Sequence, residues 1–388
     1  VKMALAGETA VMPVIKRVSD KPRNPGNKAN NEEPEYNPKI GGDVKFSITP
    51  SLNLDATLNP DFSQVEVDRQ VTNLDRFELF FPEKRQFFLE NGDLFANFGY
   101  DNIRPFFSRR IGLGVPIQAG ARVSGNLNEK WRLGLMDMQT ASDDKTGLPS
   151  QNFAVLSLQR KVFSRSSIGL IFVNKQSMNY PVKSDSLTAI FPKYNRNVGV
   201  EYNLASSNNV WNGKAFVLKS FSPNKSNSGI TQAAHLGYNS RKWNWRIQEE
   251  WVGKDYTAEV GFVPRNGYVN LRGTLGHLFF PKGGAILSHG PELNTLYYFN
   301  ERFRRTDNSS YMVYGIDFRN RSNLDFFVSD DYVALLAPFD PTRLGKEELA
   351  TGTEHQWNAF GWMFSSKPQS LFTYGFDTRF GGYYEGIG

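Results

Sequence analysis

Acidic, basic and aromatic side chains are crowded together between residues 59 and 115 of this chain. The charged residues of this stretch that could pair across a constriction are Glu83, Lys84, Arg85, Glu90, Arg109 and Arg110. Charges and unpaired backbone groups are costly in lipid, so the stretch belongs in water or in a protein interior. Two interpretations fit it: a plug that folds into a pore, and an external loop held by ion pairs.

Three carboxylates near the start of the same stretch, at Asp61, Glu66 and Asp68, are candidate ligands for a hard cation. Calcium takes roughly six to eight oxygen ligands, often from closely spaced carboxylates. The spacing here matches no EF-hand loop, so a polar turn is the competing interpretation. We predict no resident metal and no other cofactor.

Residue patterns typical of enzymes do not occur in the sequence. The histidines lie at His235, His277, His289 and His355. They lack the spacing of a zinc motif, and no nucleophile elbow or phosphate-binding loop is present. Adjacent carboxylates such as Asp330 and Asp331 are also expected in solvated loops, and sequence spacing cannot identify a glycosidase pair. We therefore expect a protein that is not an enzyme.

Composition excludes several other classes of protein. The chain contains no cysteine, which rules out disulfides and thiolate metal sites. Its formal net charge of +6 is spread over interspersed acidic and basic residues, without the basic block that tracks nucleic acid. No segment approaches the roughly 18 consecutive apolar residues of a transmembrane helix.

The elements that must position the charged residues are short segments in which apolar and polar side chains alternate. Between Leu371 and Phe380 the even-numbered positions are mostly aromatic, whereas Asp377 and Arg379 lie on the opposite face. An aromatic face backed by a charged face is typical of a transmembrane β-strand, apolar toward lipid and polar toward the lumen.

Such segments come in pairs with tight turns inside each pair and longer connections between pairs. The first pair turns at Thr49–Pro50, and the predicted long connections include Asn300–Ser310. Phe106–Ile111 is a candidate short strand inside the inserted stretch. Outer-membrane barrels alternate short and long connections in this way. The pattern predicts an all-β fold, a transmembrane antiparallel β-barrel of at least about 14–16 strands with an inserted plug-like segment.

Charged residues on the polar faces of the predicted strands are candidate lumen charges. They are Arg132, Arg246, Glu250, Asp317, Arg319, Asp377 and Arg379. In an open pore they would tune selectivity, and in a plugged barrel they would anchor the plug. Trp243, Trp245 and Trp251 share the face opposite Arg246 and Glu250, so we predict that they face lipid. A sugar-stacking platform is the alternative interpretation of these tryptophans.

Three motifs of the inserted stretch resemble a known family. They are Asn-Pro-Asp-Phe-Ser-Gln-Val-Glu (59–66), Phe-Phe-Pro-Glu-Lys-Arg-Gln-Phe-Phe-Leu-Glu (80–90) and Ser-Arg-Arg-Ile-Gly (108–112). Together they resemble the C-terminal barrel region of Bacteroidota outer-membrane proteins described as carbohydrate-binding family nine domain-containing proteins of unknown function. The resemblance covers roughly residues 41–112. It implies a bacterial outer-membrane location and an upstream sandwich domain like a sugar-binding module, rather than an activity.

We therefore expect residues 1–40 to be a linker from a missing upstream domain and residues 41–388 to be a barrel that is incomplete at its C-terminal end. Residues 59–115 would be its inserted plug or loop. The expected function is a porin-like passage or docking barrel for a glycan, lipid or other solute, or a subunit of a larger envelope complex. A non-conducting anchor for a sugar-binding domain or partner is the alternative, and a surface enzyme acting on glycans is the third. The expected partners are outer-membrane lipid and lipopolysaccharide, envelope proteins and a glycan, with no nucleic acid.

Overall fold

The computed structural model describes residues 41–60, 78–178, 191–223, 229–341, 345 and 348–384, and the backbone of 386–387. The strands are β1 (Gly42–Thr49), β2 (Leu52–Leu58), β3 (Ile117–Asn126), β4 (Trp131–Thr140), β5 (Gln151–Val162), β6 (Ser166–Ser177), β7 (Tyr194–Ala205), β8 (Trp211–Phe221), β9 (Ile230–Asn239), β10 (Trp243–Val252), β11 (Tyr268–His277), β12 (Ile286–Asn300), β13 (Arg305–Phe318), β14 (Asn323–Ala334), β15 (Glu354–Ser365), β16 (Gly375–Tyr383) and the two-residue β17 (Gly386–Ile387). The helical turns are α1 (Gln86–Leu89), α2 (Asp93–Ala96) and a 3₁₀ turn (Ser108–Arg110). The predicted linker at 1–40 and the candidate cation ligands Asp61, Glu66 and Asp68 lie outside the described residues.

One antiparallel sheet contains all of these strands, and each strand pairs with the next one along the chain. The register runs, for example, Val44↔Ala56 between β1 and β2 and Gly361↔Arg379 between β15 and β16. Within the described ranges no register joins β1 to β16, so the sheet is open between them. The all-β, antiparallel character predicted from the alternation is confirmed, with sixteen strands from β1 to β16 and almost no helix.

Side chains of the tight turns explain why the strands reverse where they do. Between β3 and β4, the Asn128 Oδ1 accepts hydrogen bonds from the backbone N–H of Lys130 (2.9 Å) and of Trp131 (3.0 Å). Asparagine favours turns because its side chain can mimic a backbone acceptor. Asn209, between β7 and β8, has φ 60°, a left-handed conformation that asparagine tolerates.

The prediction of a long connection over Asn300–Ser310 is wrong, because β13 already begins at Arg305. The first residues of β13 are polar on both faces, so they show no alternation of polar and apolar side chains. Asn308 donates to the Asp330 carboxylate (2.8 Å) and Ser309 to that of Asp331 (2.8 Å), so side-chain pairs support the strand where apolar residues do not.

Two other predicted boundaries differ from the structure. Phe106–Ile111 is not a strand, because the backbone N–H groups of Arg110 and Ile111 bond back to the carbonyls of Phe107 and Ser108 in a 3₁₀ turn. The last long strand begins at Gly375, so Phe372 and Tyr374 precede it. Tyr374 is tied instead to Ser366, whose Oγ accepts its N–H at 2.8 Å.

The two faces of the sheet have opposite character. We call the face carrying Arg122 and Glu250 the inner face and the opposite one the outer face. In β10 the inner residues Gln248 and Glu250 are 8% and 2% exposed, whereas the outer residue Ile247 is 66% exposed. In β10 the carboxylate of Glu250 is therefore buried while the apolar side chain of Ile247 is exposed.

The hydrophobic core lies between the inner face and the chain that connects β2 to β3. Phe88, Leu94 and Phe95 of this connection pack among inner-face residues such as Met136 and Phe153. Gly134 of β4 leaves room for this packing, since a Cβ there would lie 2.7 Å from the Phe95 ring. No helix in the described ranges is long and apolar enough to cross a membrane.

Candidate functional site

The β2–β3 connection, whose described part (residues 78–116) we call the insert, lies along the inner face. It leaves β2 at the end of the strands where the long connections lie. It then reaches the opposite end of the strands, because Asp93 of α2 contacts Arg132, the second residue of β4 after a tight turn (2.8 Å). The Leu94 carbonyl accepts a hydrogen bond from the Ser157 Oγ of β5 (2.6 Å). The insert thus crosses most of the strand length.

A partly buried ion pair between Glu83 and Arg85 connects the start of the insert to its 3₁₀ turn. The two side chains meet at 2.7 Å, and the Ser108 Oγ donates to the same carboxylate at 2.6 Å. Arg85 also donates to the carbonyls of Ile111 (2.8 Å) and Ser108 (2.6 Å). Burial acts to raise the pKa of Glu83, but the hydrogen bonds and positive charge of Arg85, with the Ser108 hydroxyl, outweigh it and lower the pKa.

Arg109 and Arg110 have partners other than Glu83 and Glu90, whereas Lys84 contacts Glu83 through its backbone. Arg110 pairs with Glu78 (2.6 Å), and Arg109 donates to the Pro82 carbonyl (3.0 Å). The Lys84 backbone N–H donates to the Glu83 carboxylate (3.0 Å). Of the predicted pairings, Glu83 with Arg85 is therefore formed.

Glu90 pairs with the sheet instead of with the basic residues of its own segment. Its carboxylate contacts Lys45 of β1 and lies 3.8 Å from Arg122 of β3. Lys45 and Arg122 both lie opposite Asp55 of β2, on the inner face. Glu90 thus fastens the insert to the first strands of the sheet.

An ion pair that sequence reasoning missed lies beside it. Arg122, 1% exposed, pairs with Asp55 of β2 at 2.7 Å. It also donates to the Phe87 carbonyl of the insert and lies 5.0 Å from the Phe87 ring centre. Alternation places Asp55 and Arg122 on polar faces, but their pairing follows only from the β2–β3 register across the insert.

The connection between β10 and β11 (253–267) holds the insert at the end of the strands where the long connections lie. Arg104 and Phe262 exchange two backbone hydrogen bonds (3.1 and 2.9 Å), and the Phe107 N–H donates to the Val260 carbonyl (2.6 Å). The Phe80 ring packs against those of Phe107 and Phe262 at 4.9 and 5.3 Å. One loop of the sheet therefore clasps the insert by backbone and side chains together.

A cavity of about 830 Å³ lies between the insert and strands β4 to β13, and it is the candidate functional site. In a flat sheet those two strands would be roughly 40 Å apart, at roughly 4.8 Å per strand spacing. Arg132 of β4 and Tyr311 of β13 nevertheless border the same cavity. The sheet must therefore curve around the insert.

Three ion pairs tie cavity residues of opposite charge together. Arg132 pairs with Asp93 (2.8 Å), Lys214 with Glu201 (3.4 Å), and Arg104 with Asp101. The first pair joins the insert to β4, the second joins β7 to β8, and the third lies within the insert. Lys214 also donates to the carbonyls of Asn97 (2.8 Å) and Gly99 (3.0 Å), so its charge stabilises the insert backbone.

The cavity has two further cations, on adjacent strands. Arg246 donates to the Gln248 Oε1 (2.8 Å), and Gln248 donates onward to Glu250 (2.6 Å). Arg272 donates to the Asn270 Oδ1 (2.9 Å). Neither arginine has a carboxylate within salt-bridge distance among the described residues. Arg272 also donates to the Tyr298 hydroxyl (3.5 Å). Both arginines line the cavity, and these hydrogen bonds use only some of the five N–H donors that each guanidinium carries.

Tyr100 of the insert contacts His235 of β9 at the side of the cavity, with 2.7 Å between the hydroxyl and Nδ1. Burial raises the pKa of Tyr100 above its ordinary value, and the nearby Arg246 only partly opposes this. The hydroxyl therefore stays protonated at neutral pH and can donate to the imidazole. Its ring packs on Phe216 at 5.1 Å.

The structure brings three of the seven predicted lumen charges together. Arg132, Arg246 and Glu250 all line the cavity. The Asp317 side chain lies elsewhere on the inner face and accepts a hydrogen bond from Ser288 (2.8 Å).

The other predicted lumen charges lie away from the cavity. Asp377 and Arg379 are inner-face positions of β16, opposite Met363 and Gly361. Arg319 lies in the turn after β13, where it donates to the carbonyls of Gly284 (3.0 Å) and Pro281 (3.3 Å). These charges do not share one site with Arg246.

Aromatic side chains line the outer face near the tight turns. Successive ring contacts there join Trp211 with Tyr238 (5.1 Å), Trp211 with Trp245 (5.4 Å), Trp243 with His277 (4.3 Å), His277 with Phe279 (4.5 Å) and His289 with Tyr314 (5.9 Å). We call this set the aromatic belt. Trp251 lies on the same face at the other end of β10. The predicted Trp243, Trp245 and Trp251 therefore do not line the cavity.

No group of three or more His, Cys, Asp or Glu side chains in the described ranges is placed to hold a metal ion. Residues 24–131 match the family model described as a domain of unknown function, DUF5916. The matched stretch includes the first three strands, the insert and the three motifs quoted above. No curated protein and no solved structure matches the chain.

Proposed function

We propose that the chain forms an outer-membrane β-barrel that the insert closes as a plug, and that the cavity beside the plug passes or docks a polar solute. The supporting observation is the reversal of polarity across each strand. An outer side chain such as Ile247 is 66% exposed while Glu250, on the inner face of the same strand, is 2% exposed. A water-soluble sheet would bury the first and expose the second.

The extent of the bare apolar face supports a lipid partner. It continues through strands far apart in the chain, with Val200, Val328 and Phe360 respectively 48%, 55% and 59% exposed. Soluble monomers rarely expose contiguous apolar patches larger than roughly a few hundred Å². Anionic groups of lipopolysaccharide would suit the basic residues of the chain, whose net charge is +6.

Strand length and the aromatic belt agree with the thickness of a membrane. Strands β3 and β4 each have 10 residues, and β5 to β7 each have 12. A tilted spanning strand needs roughly 9–11 residues. Rings such as Trp211 of β8 and Trp245 of β10 gather near one end of their strands, where spanning barrels place interfacial aromatics.

The contacts of the insert favour a closed resting state. Ion pairs to β1, β3 and β4, hydrogen bonds from Lys214 of β8 and the clasp by the 253–267 loop hold it across the inner face. The proposal is therefore gated passage or docking, without covalent chemistry. A permanently closed anchor for a sugar-binding domain or an envelope partner is the second candidate, because the same contacts would also suit a fixed plug.

Single-channel conductance in planar bilayers separates these functions. Leu58 pairs with Ala119, so the strands that flank the insert are adjacent at its base. Residues 60–115 can therefore be replaced by a short Gly/Ser linker without straining β2 or β3. We expect a closed or weakly conducting native protein and a strongly conducting variant without the insert, since excision opens the interior to water.

A second shortened connection is the matched control. Ala334 pairs with Glu354, so residues 336–352 can be replaced by the same linker at the same end of the strands. This variant should conduct like the native protein. Equal conductance of native protein and insert-less variant would contradict the plug. A folded insert-less variant that never conducts would contradict passage and leave the anchor.

A further inference from the structure

We infer that the cavity binds a small polyhydroxylated organic anion, held by Arg246 and Arg272. This deepens the proposed function and rests on it for the route by which the solute arrives. The two arginines lie on neighbouring strands, with Arg246 opposite Thr274 and Arg272 opposite Gln248. Such diagonal neighbours have Cβ atoms within roughly 7–8 Å. Both guanidinium groups can therefore reach one carboxylate or phosphate.

The cavity lining has one more cation than anions, and neither Arg246 nor Arg272 forms a direct ion pair with a described carboxylate. Its cations are Arg104, Arg132, Lys214, Arg246 and Arg272, and its anions are Asp93, Asp101, Glu201 and Glu250. Asp93, Asp101 and Glu201 each pair with one of the first three cations. The last anion, Glu250, is 2% exposed and accepts hydrogen bonds from Gln248 and Tyr268 instead.

Arg246 lines the cavity and keeps N–H donors beyond the one that it uses within the sheet. A guanidinium carries five N–H donors, and Arg246 uses one of them in its hydrogen bond to Gln248. The hydrogen bonds from Arg246 to Gln248 and from Gln248 to Glu250 hold the guanidinium in place at the cavity wall. Paired N–H donors of this kind bind carboxylate and phosphate oxygens in a bidentate manner.

Neutral hydrogen-bonding groups make up much of the remaining wall. They are Gln159, Asn203, Thr274, Asn294, Ser309 and Tyr311. Amides and hydroxyls of this kind match the alternating donors and acceptors of sugar hydroxyls. A volume of about 830 Å³ is within the range of small-molecule sites. The lining thus fits one acidic group attached to several hydroxyls.

Equilibrium dialysis of radiolabelled sugars against the full chain, folded in detergent micelles, tests this inference. The probes are glucuronate, glucose 6-phosphate and neutral glucose, so that carboxylate and phosphate are compared on the same scaffold. We expect the native protein to retain at least one acidic probe and not glucose. Arg246→Gln and Arg272→Gln should each weaken retention at least about tenfold, because each removes a charge-assisted hydrogen-bond donor.

Arg165→Gln is the matched control, because it removes the same charge from the exposed β5–β6 turn. It should bind like the native protein, and circular dichroism should show that all variants keep their β-structure. Absence of acidic-probe binding, equal binding of glucose, or an equal loss in Arg165→Gln would overturn the inference. These results do not depend on conductance, so they are distinguishable from a failure of the proposed passage.

Discussion

The buried Asp55–Arg122 pair shows how single residues of the inner face can decide the position of the insert. Arg122 is 1% exposed and contacts the Asp55 carboxylate at 2.7 Å, while its other donors reach the Phe87 carbonyl. Removing one partner of such a pair leaves an uncompensated charge away from water. The pair therefore specifies the fit between β2, β3 and the insert more than it adds to stability.

Replacing Arg122 by methionine should lower the free energy of unfolding by about 3–5 kcal/mol, because it leaves Asp55 buried and unpaired. The double variant Asp55→Asn, Arg122→Met should recover most of this loss, since no buried charge remains. Urea unfolding from detergent micelles, followed by tryptophan fluorescence, measures both. Arg165→Met in the exposed turn controls for the loss of a positive charge. A double variant as unstable as the single one would contradict this account.

At the scale of elements, the sequence predicts strands wherever polar and apolar residues alternate. It does not predict strand ends or side-chain contacts that depend on residues distant in the chain. The strand boundaries of β10 follow directly from its alternating tryptophans and polar residues. The start of β13 does not follow from the sequence, because Asn308 and Ser309 are both polar. Their side chains are held by hydrogen bonds to Asp330 and Asp331 of the next strand. Sequence alternation also places Arg246 on the inner face, but it cannot show that Arg272 is its neighbour.

The clasp between the insert and the 253–267 connection depends on Gly261. A Cβ at this position would overlap the Arg104 carbonyl oxygen and lie 2.9 Å from that of Pro105. Gly261→Ala should therefore push the loop from the insert and weaken the Arg104–Phe262 hydrogen bonds. We expect faster hydrogen exchange in peptides covering residues 98–112, measured by mass spectrometry.

Gly283→Ala is the control for this change, because a Cβ there has nothing within 4 Å. Its exchange in residues 98–112 should equal that of the native protein. Unchanged exchange in Gly261→Ala would show that the clasp does not restrain the insert. Faster exchange throughout the sheet in that variant would indicate general destabilisation instead.

The whole molecule combines a curved sheet, a charged insert on its inner face and a bare apolar outer face. The burial of Glu250 beside an exposed Ile247 is opposite to the arrangement that water favours. The proposed membrane location would resolve this conflict, because lipid would cover the outer face and water would fill part of the interior. The cavity charges then act in water-accessible space, where Arg246 and Arg272 need no permanent counter-charge.

This arrangement predicts alternating solvent access along strands that are far apart. The chain has no native cysteine, so single spin labels can be placed at Thr274 and Leu275 of β11 and at Ser329 and Val328 of β14. In reconstituted bilayers, Leu275 and Val328 should be accessible to oxygen and shielded from a nickel chelate, because apolar oxygen concentrates in lipid. Thr274 and Ser329 should show the reverse, since their side chains lie on the inner face. High nickel access at all four positions would contradict a spanning sheet, and low access to both reagents at Leu275 and Val328 would indicate a protein partner on the outer face.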